Sequence, residues 1–467
     1  MACMSKQTIL VESRSKRYLE NLFADRKRVV VVLSWLIIAA SSVPFERIND
    51  DEAIFFVEAR RMLVLGPHAH RDLIFVPQIL GAIVSEIYNS LLAARVVSAV
   101  AVLVTAILIY SIKKDDSTFI SSMLYLTSFY TIRFGLRFYL DPFGGFFTIA
   151  AIYFLYKEKS HFVGIYSAIA IFSREMAAPL FPIFAALVYR RKLGMKKFLC
   201  GFIPITLLGV IWIYLATKGI QSAIITNTSE VTFSSYLGIS SIYSILEGWI
   251  QYALISPLVL IGILIERGGR RRPEFFVMVF SFLILSFVPG FVINGAATQY
   301  PYIFNTVACI TAGSGLNTLY QRFSSHRKGI IRIVVLVLVI QFAVQSYFAT
   351  ALTINNTIGV QDYGYWHDQE LLSYMNKHYH GGKIYSSTYD VFLDLTLAPN
   401  SKWLPQNITL ALFDNPEWLI TYKSYVIVKS VPANVTIVDI GPYLVIDRGQ
   451  VPLSSFIELN NSTQFFR

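Results

Sequence analysis

The sequence predicts a polytopic membrane protein with an all-α membrane part and a small C-terminal α/β domain outside the cytoplasm. Hydrophobic residues make up 55% of the 467 positions and charged residues 15%, and the mean hydropathy of +0.54 exceeds that of soluble domains. Apolar runs of about 18 or more residues recur, which is the length a helix needs to cross roughly 30 Å of hydrocarbon. Residues 349–467 differ, because they carry seven Lys or Arg against ten Asp or Glu.

The membrane part follows a basic segment, residues 1–28, which the positive-inside rule keeps in the cytoplasm. Residues 29–348 are predicted to form about eleven spans. The basic clusters between them, such as those at 190–197 and 267–272, fall in loops that this count puts inside. The odd number of spans therefore leaves the C-terminus outside. The spans are placed near residues 29–45, 95–112, 117–136, 142–157, 162–174, 176–189, 198–217, 246–265, 274–293, 301–319 and 329–348.

The first outer loop, residues 46–94, contains an apolar stretch at 73–92 that has two interpretations. As a twelfth span, it would reverse every later segment and turn the basic loops outward. As an interfacial or re-entrant helix on the outer side, it leaves those loops in the cytoplasm. The second interpretation also suits the polar residues Gln78 and Glu86 within the stretch, and we adopt it.

Residues 349–467 are predicted to form an extracytoplasmic α/β domain. Residues 367–379 have the pattern of a helix, and the segments KIYSS, VFLDLTL, SYVIVKS and YLVID have the pattern of short buried strands. The domain contains no cysteine, which excludes a disulfide framework there. N-x-Ser/Thr triplets, the acceptor pattern for N-glycosylation, add mild support for an outer location. They begin at Asn355, Asn407, Asn434, Asn460 and Asn461, and at Asn227 in a predicted outer loop.

Three acidic residues, Asp50, Asp51 and Glu52, stand at the outer end of the first predicted span. Asn49 and Glu52 have the spacing of a capping box, and acids suit a helix N-terminus. A surface helix from about residue 51 to 65 would therefore explain one or two of the acids. Capping does not explain the other charged residues that are predicted on the same, outer side of the membrane.

Arginines are concentrated on this outer side, where the positive-inside rule disfavours them. A charge at membrane depth costs roughly 2.5–3.5 kcal/mol on insertion scales. Arg133, Arg137 and Asp141 recur every fourth residue and are predicted to share one helix face. A single arginine can snorkel or pair locally, and that alternative stays open for each. The charged residues on this side are Arg60, Arg61, Arg71, Arg95, Arg133, Arg137, Asp141, Arg174 and Glu175.

Clustered arginines beside acids at a membrane surface suit an anionic ligand whose lipid tail lies in the bilayer. The guanidinium fork matches phosphate oxygens, and it does not lose its charge. A carboxylate near such a cluster suggests group transfer. The acid would act as a general base on an acceptor hydroxyl, and the arginines would stabilise a departing phosphate.

These residues resemble the GT-C glycosyltransferases, in particular the branch of protein O-mannosyltransferases and aminoarabinose–lipid A transferases. NDDEAIFFVEARRMLVLG is similar to the Asp-Glu motif of that branch's first loop and the helix after it. ARVVSAVAVLVTAILIYSIKK is similar to the span that opens with an arginine. RFGLRFYLDPFGGFFTIAAIYFLY and AIAIFSREMAAPLFP resemble the blocks where an acid and a basic residue face the donor. The resemblance covers about residues 30–215 in the family's order and spacing.

The resemblance implies a GT-C fold and transfer of a sugar from a polyprenyl phosphate, such as dolichyl phosphate, to a hydroxyl outside the cytoplasm. It matches the family's essential aspartate to Asp51 and that residue's partner to Glu52. It matches the second outer-loop acid to Asp141, and Asp51, Glu52 and Asp141 form the predicted catalytic set. The acceptor, whether protein, lipid or glycan, and the sugar are left open.

A second set of residues is predicted to bind the donor phosphate. The resemblance matches Arg95 to the arginine that opens the second span, and Arg174 to a position where relatives often have lysine. Arg71 corresponds to a basic residue before a proline-containing turn. Arg133 and Arg137 join this set because of their charge and position.

No metal site is predicted. His68 and His70 form an H-x-H pair in the first outer loop, and His378 and His380 form another in the C-terminal domain. Two ligands do not complete a metal site, so no cofactor is assigned. A divalent cation stays open as an alternative.

The predicted localisation is the plasma membrane, with several spans and a cytoplasmic N-terminus. The predicted partners are the lipid-linked donor, the outer acceptor and membrane lipid, and nucleic acid is not among them. Two other functions stay open. A flippase or transporter of lipid-linked glycans would need polar residues along a path through the spans. An oligosaccharyltransferase would carry a W-W-D-Y-G motif, which QDYGYWHD at residues 361–368 matches only in part.

The topology makes a direct prediction about accessibility. Protease added to sealed, right-side-out cells should clip the domain at residues 349–467, because an odd number of spans puts it outside. Immunoblotting with an antibody against this domain follows the cleavage. Protection in intact cells, with cleavage only after lysis, would show that the predicted number of spans is wrong by one.

Overall fold

The computed structural model describes two compact units. The first comprises residues 1–44, 69–77 and 95–346, and the second comprises residues 45–68, 78–94 and 347–467. Single described positions are Glu52, Phe55, Phe56, Ala59 and Gly329. The continuous described segments are 25–43, 76–87, 91–217, 239–266, 272–287, 299–322, 365–379, 381–382, 384–386, 401–403, 416–423, 426–441 and 443–459.

Helices occupy most of the predicted spans, and the last predicted span lies outside the described residues except for Gly329. A π-helical turn, Thr131–Gly135, and a 3-10 helix, Glu175–Leu180, interrupt the α-helices. The α-helices whose bounds are described before the C-terminal domain are α1 (Arg26–Ser42), α2 (Val76–Ile87), α3 (Leu91–Ser111), α4 (Asp116–Leu126), α5 (Asp141–Tyr156), α6 (Ser160–Ile171), α7 (Phe181–Arg190), α8 (Met195–Thr217), α9 (Ile239–Ile255), α10 (Pro257–Ile265), α11 (Pro273–Ser286) and α12 (Tyr302–Arg322).

The described helices include segments long and apolar enough to cross a membrane. Leu92–Ser111 in α3 and Met195–Leu215 in α8 each meet this requirement. A third candidate arises if Ile242–Ile255 and Pro257–Ile265, which bend by 97° at their junction, count as one span. Helices α6 and α11 are apolar but shorter. The chain is thus a membrane protein, and the number of about eleven spans stays a prediction.

Helix α2 covers the ambiguous part of the first outer loop. Its 12 residues measure about 18 Å, which is well short of the roughly 30 Å of hydrocarbon. At its start, the Val76 N–H donates to the Phe172 carbonyl oxygen at 3.3 Å. Because residues 73–75 and 88–90 of this stretch lie outside the described residues, the interfacial or re-entrant interpretation stays a prediction.

Helix α12 is the most buried helix of the first unit, since every residue from Tyr302 to Leu316 is buried. It packs against α4, α10 and α11. A Cβ atom on Gly313 would collide with Ser121 of α4, and one on Gly315 would collide with the backbone of Gly262 in α10. Small residues therefore permit these close helix crossings, as is common between helices in membranes.

The loops that were predicted to lie inside meet at one end of this helical unit, which we call the basic end. Lys27 forms an ion pair with Asp116, and the Tyr156 hydroxyl donates to Glu274 at 2.6 Å. Arg191 lies 5.5 Å above the Tyr156 ring. Among the described residues, the exposed cations of this end are Arg26, Lys113, Lys114, Lys157, Lys159, Arg190, Arg191, Lys192, Lys196, Lys197 and Arg322. The contacts support the predicted grouping of these loops, while the side of the membrane they face stays a prediction.

In the described part of the C-terminal domain, one α-helix packs on a mixed sheet. Helix α13 (Tyr365–His378) packs on a five-stranded sheet of order β2-β1-β3-β6-β5, in which β1 is parallel to β2 and β3, and β6 is antiparallel to β3 and β5. A separate antiparallel pair joins β4 to β7. The strands are β1 (Ile384–Ser386), β2 (Ser401–Trp403), β3 (Trp418–Tyr422), β4 (Val426–Val428), β5 (Thr436–Ile440), β6 (Tyr443–Asp447) and β7 (Ile457–Leu459).

Apolar cores cover both faces of this sheet. One core joins Leu371 and Met375 of α13 to Ile420 and Val445. The other includes Leu419 and packs β4 and β7 against the opposite face. The predicted helix and the strands in KIYSS, SYVIVKS and YLVID are confirmed, whereas VFLDLTL lies outside the described residues. The four other strands were not predicted.

Candidate active site

The predicted catalytic acids of the first outer loop are only partly described. Asp51 lies outside the described residues, as do Arg60, Arg61 and Arg71. Glu52 is helical and fully buried. Phe56 and Ala59 are also helical and fully buried. These positions fall within the helix predicted from about residue 51 to 65, whose other residues, apart from Phe55, lie outside the described residues.

Asp141 and Arg174 form a buried ion pair. Asp141 is the first residue of α5 and Arg174 lies between α6 and the 3-10 helix, and their side chains are 2% and 6% exposed. The Arg174 Nε atom is 3.1 Å from an Asp141 carboxylate oxygen. The guanidinium also lies 3.5 Å from the Glu175 carboxylate and 5.6 Å above the Tyr300 ring. The chain thus brings together two predicted site residues that are 33 positions apart.

Gly144 makes room for this pair. It lies one turn after Asp141 in α5, and a Cβ atom added to it would lie 2.6 Å from the Arg174 Cβ. The neighbouring Gly145 faces Tyr302, whose ring would lie 2.8 Å from an added Cβ. The DPFGG sequence therefore supplies the Asp141 carboxylate, and its two glycines leave space beside it for the side chains of Arg174 and Tyr302.

The residues between α4 and α5 do not form the continuous helix predicted there. Helix α4 ends at Leu126, a π-helical turn spans Thr131–Gly135, and α5 begins only at Asp141. The prediction that Arg133, Arg137 and Asp141 share one helix face is therefore wrong. Arg133 lies in the π-helical turn, Arg137 in the bend after it and Asp141 in the next helix.

The break has a local cause in Ser128. Its hydroxyl bonds to the Tyr125 carbonyl oxygen at 2.9 Å and accepts from the Thr131 N–H at 3.3 Å. A serine that bonds to nearby backbone in this way competes with the regular hydrogen bonds of a helix. Short π-helical turns are often found at functional sites. In this turn, the half-buried Arg133 lies 5.7 Å from the centroid of the Phe134 ring.

Arg95 and Arg137 are the other predicted arginines, and both are buried. Arg95, in the first turns of α3, is 1% exposed and donates from Nη1 to the Val43 carbonyl oxygen at 3.1 Å. Arg137 is 5% exposed. Arg95 lies near the start of α3 and Asp141 at the start of α5, whereas both helices finish at the basic end. We call the opposite end, with Arg95, Asp141 and Arg174, the site end.

The two ends of the helical unit hold cations in different ways. At the basic end, the lysines and arginines of the loops are exposed. At the site end, three arginines are buried, and each whole residue is at most 5% exposed. They are Arg95, Arg137 and Arg174. Burying a guanidinium is unfavourable unless it is paired or hydrogen-bonded, so these arginines need partners that a surface cation does not.

Tyr302 and Tyr125 were not identified from the sequence. Their hydroxyl groups hydrogen-bond to each other at 2.7 Å, and both side chains are fully buried. The Tyr302 hydroxyl would lie 2.8 Å from a Cβ added to Gly135, so this pair contacts the end of the π-helical turn. One tyrosine among the chain's 27 carries no sequence signal that would have singled it out.

A second buried polar group, also missed, is Asn305 in α12. Its side-chain oxygen accepts from the Tyr252 hydroxyl at 3.0 Å, and its Nδ2 donates to the Ser128 hydroxyl at 3.1 Å. Asn305 and Ser128 are fully buried and Tyr252 is nearly so. The amide thereby connects α9 and α12 to the serine that breaks the helix before Thr131. The available signal was an amide side chain near the start of a predicted apolar span that also contains threonines and a serine.

The described residues contain no group of three His, Cys, Asp or Glu side chains that could hold a metal ion. His68, His70 and His380, which belong to the two H-x-H pairs, lie outside those residues.

Comparison with solved structures identifies the fold. ArnT from Cupriavidus metallidurans bound to undecaprenyl phosphate aligns with a TM-score of 0.61 at 13% identity, over 90% of this chain and 98% of that chain. The apo state of the same protein aligns with a TM-score of 0.57 at 13% identity, over 93% and 98%. An oligosaccharyltransferase from Archaeoglobus fulgidus, in complex with zinc and sulfate, aligns with a TM-score of 0.48 at 11% identity, over 84% and 68%.

No protein-family profile matches the sequence, and no curated protein matches it significantly. The chain nevertheless shares the overall fold of ArnT, an aminoarabinose transferase of the GT-C class, over nearly the full length of both proteins. The resemblance predicted from the sequence is therefore confirmed at the level of the fold.

Gly144→Ala should destabilise the protein. The new methyl group would displace Arg174 from Asp141, and overpacking of this kind costs about 1–3 kcal/mol. The measurement is the apparent melting temperature in detergent, followed by intrinsic fluorescence. Gly329→Ala is the matched control, because an added Cβ there meets no atom within 4 Å. Equal melting temperatures for the two variants would contradict the close approach at Gly144.

Asn305→Leu should loosen the segment between α4 and α5. The leucine removes the amide that joins Tyr252 to Ser128, and an unsatisfied buried polar group costs about 1–3 kcal/mol. Hydrogen–deuterium exchange of peptides from residues 127–140 should become faster. Asn317→Leu on the same helix is the control, since the Asn317 side-chain oxygen has no hydrogen-bond partner among the described residues. Unchanged exchange in Asn305→Leu would show that other contacts hold the segment.

Proposed function

We propose that the protein is an integral-membrane glycosyltransferase that uses a polyprenyl-phosphate sugar. The acceptor is a hydroxyl of a protein, lipid or glycan outside the cytoplasm. The observation that carries the proposal is the set of buried arginines, Arg95, Arg137 and Arg174, at one end of a chain with the ArnT fold. The exposed cations lie at the other end.

The chemistry of the donor fits this set of residues. A lipid phosphate carries its charge at the membrane surface while its isoprenoid tail lies among apolar side chains. Arginine suits this position because its fork binds phosphate oxygens in pairs and keeps its charge when buried. The likeness to a protein crystallised with undecaprenyl phosphate supports the same class of donor here.

A lipid-linked donor also explains how the sugar reaches a site outside the cytoplasm. Nucleotide sugars are soluble compounds of the cytoplasm, whereas the proposed site opens outside it. A sugar carried on a membrane lipid reaches the site from within the bilayer. The proposed topology follows from the basic loops, with the protein in the plasma membrane and its C-terminal domain outside.

In the proposed mechanism, Asp51 accepts the proton of the acceptor hydroxyl, and Glu52 orients Asp51 or the acceptor. The hydroxyl oxygen forms a bond to the anomeric carbon of the sugar. The bond between that carbon and the phosphate oxygen breaks, and the phosphate leaves with the electron pair. General acid–base catalysis of this kind contributes typically about 10²–10⁴-fold.

The arginines stabilise the departing phosphate, which gains negative charge as the bond breaks. Contacts that strengthen in the transition state lower the barrier, whereas equal contacts in the ground state do not. Arg95, Arg133, Arg137 and Arg174 are assigned to this role, with Arg71 assigned from the resemblance alone. Asp141 is proposed to position Arg174, because the two side chains form an ion pair at 3.1 Å.

The donor class is tested with purified protein in liposomes. Radiolabelled polyprenyl-phosphate sugar or the matching nucleotide sugar is supplied with an acceptor extract, and transfer is followed by the label in the acceptor fraction. Transfer is expected only from the lipid-linked sugar. Transfer from the nucleotide sugar alone would reject the proposal.

Two arginine variants serve as matched controls in the same assay. Arg95→Lys should lower the maximal rate, because an ammonium group keeps the charge and loses the fork. Arg190→Lys, at an exposed arginine of the basic end, should leave the rate unchanged. Equal effects of the two substitutions would count against a phosphate-binding role for the buried arginine.

Asp51→Asn should yield a folded and inactive protein. Amide and carboxylate are nearly the same size, so packing is kept while basicity is lost, and a rate decrease of about 10²–10⁴-fold is expected. Asp50→Asn is the control and should have a much smaller effect, since capping explains that acid. The transfer rate and the elution profile in size-exclusion chromatography are measured together. Full activity of Asp51→Asn would exclude Asp51 as the base.

A further inference from the structure

The turn between β4 and β5 presents an N-x-Thr triplet to solvent. Asn434, Val435 and Thr436 form it, and Asn434 and Thr436 are exposed. The Val435 N–H donates to the Pro432 carbonyl oxygen at 3.1 Å, which closes a tight turn from Pro432 to Val435. We propose that Asn434 is an N-glycosylation site, and that its glycan covers the adjacent edge of the β-sheet.

The packing of Val435 explains why both polar residues face outward. Its side chain is 8% exposed and belongs to the core formed with Leu444, Leu453 and Phe456. A buried residue at the centre of the triplet fixes the register of the two residues around it. Asn434 and Thr436 are therefore presented together, which is what recognition of an N-x-Thr acceptor requires.

The distribution of such triplets along the chain supports the assignment independently. Five of the six begin within residues 349–467, and the sixth begins at Asn227 in a predicted outer loop. The predicted inner loops and the N-terminal segment contain none. N-glycans are attached on the side of the membrane away from the cytoplasm, so triplets on inner loops would have no such use.

The position of Asn434 also gives the glycan a physical role. Strand β5 begins two residues later and stands at one edge of the described five-stranded sheet. A strand edge presents unpaired N–H and C=O groups that another chain can add to, and proteins protect such edges. A large hydrophilic group at the start of β5 would hinder edge-to-edge pairing between neighbouring copies.

The modification is a group transfer from a lipid-linked oligosaccharide, catalysed by an oligosaccharyltransferase of the host. A bond forms between Asn434 Nδ2 and the anomeric carbon of the first sugar. The bond from that carbon to the lipid phosphate breaks, the phosphate leaves with the electron pair, and Nδ2 gives up one proton. The side chain stays an amide, and its one new substituent is the glycan.

The test uses full-length protein purified from membranes of its native host. Trypsin cleaves after Lys429 and Arg448 and releases residues 430–448, a peptide that contains this triplet alone. Mass spectrometry should find the peptide shifted by a glycan mass. The shift should disappear in Asn434→Gln and in Thr436→Ala, and it should persist in Thr436→Ser, which keeps the acceptor pattern.

Two outcomes would overturn the proposal. An unshifted peptide in the native protein would exclude modification at Asn434, even where peptides with Asn355 or Asn407 carry glycans. A shift that survives in Asn434→Gln would assign the added mass to another residue. If the glycan protects the sheet edge, Asn434→Gln should also aggregate faster than Thr436→Ser on storage, with sugar transfer by the two variants unchanged.

Discussion

The ion pair between Asp141 and Arg174 is the contact on which the site end depends. The two opposite charges are almost fully buried and stabilise each other. Removing one partner of such a buried pair destabilises a protein by about 3–5 kcal/mol. The pair links the start of α5 to the break after α6, and it requires a glycine at position 144. In the proposed mechanism, Asp141 therefore positions Arg174, and the base is Asp51 of the first outer loop.

The segment before α5 shows how polar groups shape an apolar helical unit. Ser128, Asn305 and Tyr252 form a buried hydrogen-bonded chain in which each bond measures about 3 Å. Such a chain is favourable only when its members are satisfied, so it specifies one arrangement of the neighbouring helices. That arrangement ends α4 early and leaves Arg133 in a π-helical turn. The helix break is therefore encoded by side-chain hydrogen bonds and not by proline.

The sequence allowed the general architecture to be predicted, while the site was predicted only in part. Long apolar runs and basic loops predicted the helices and the grouping of loops at one end, because hydrophobicity and charge act over whole segments. The prediction of a continuous span at 117–136 was wrong, because the hydrogen bonds of Ser128 and Asn305 cannot be read from the pattern of apolar residues. Strand β3 was missed, since five-residue apolar runs also occur in buried helices. Strand β5, Thr436–Ile440, was missed because it contains Thr436 and Asp439 and is mostly exposed or half-buried. The pairing of Asp141 with Arg174 joins distant positions, which local patterns do not encode.

The exposed cations of the basic end also influence how the protein sits in its lipid. Each lysine or arginine near an anionic leaflet contributes about 1 kcal/mol of attraction, which decays within a Debye length. The buried arginines of the site end are shielded from that field. The depth of the helical unit in the bilayer should therefore respond to the anionic lipid content and to ionic strength. The electrostatic environment of the site should respond to neither. The depth of the protein in the membrane and the electrostatics of its site can therefore change independently.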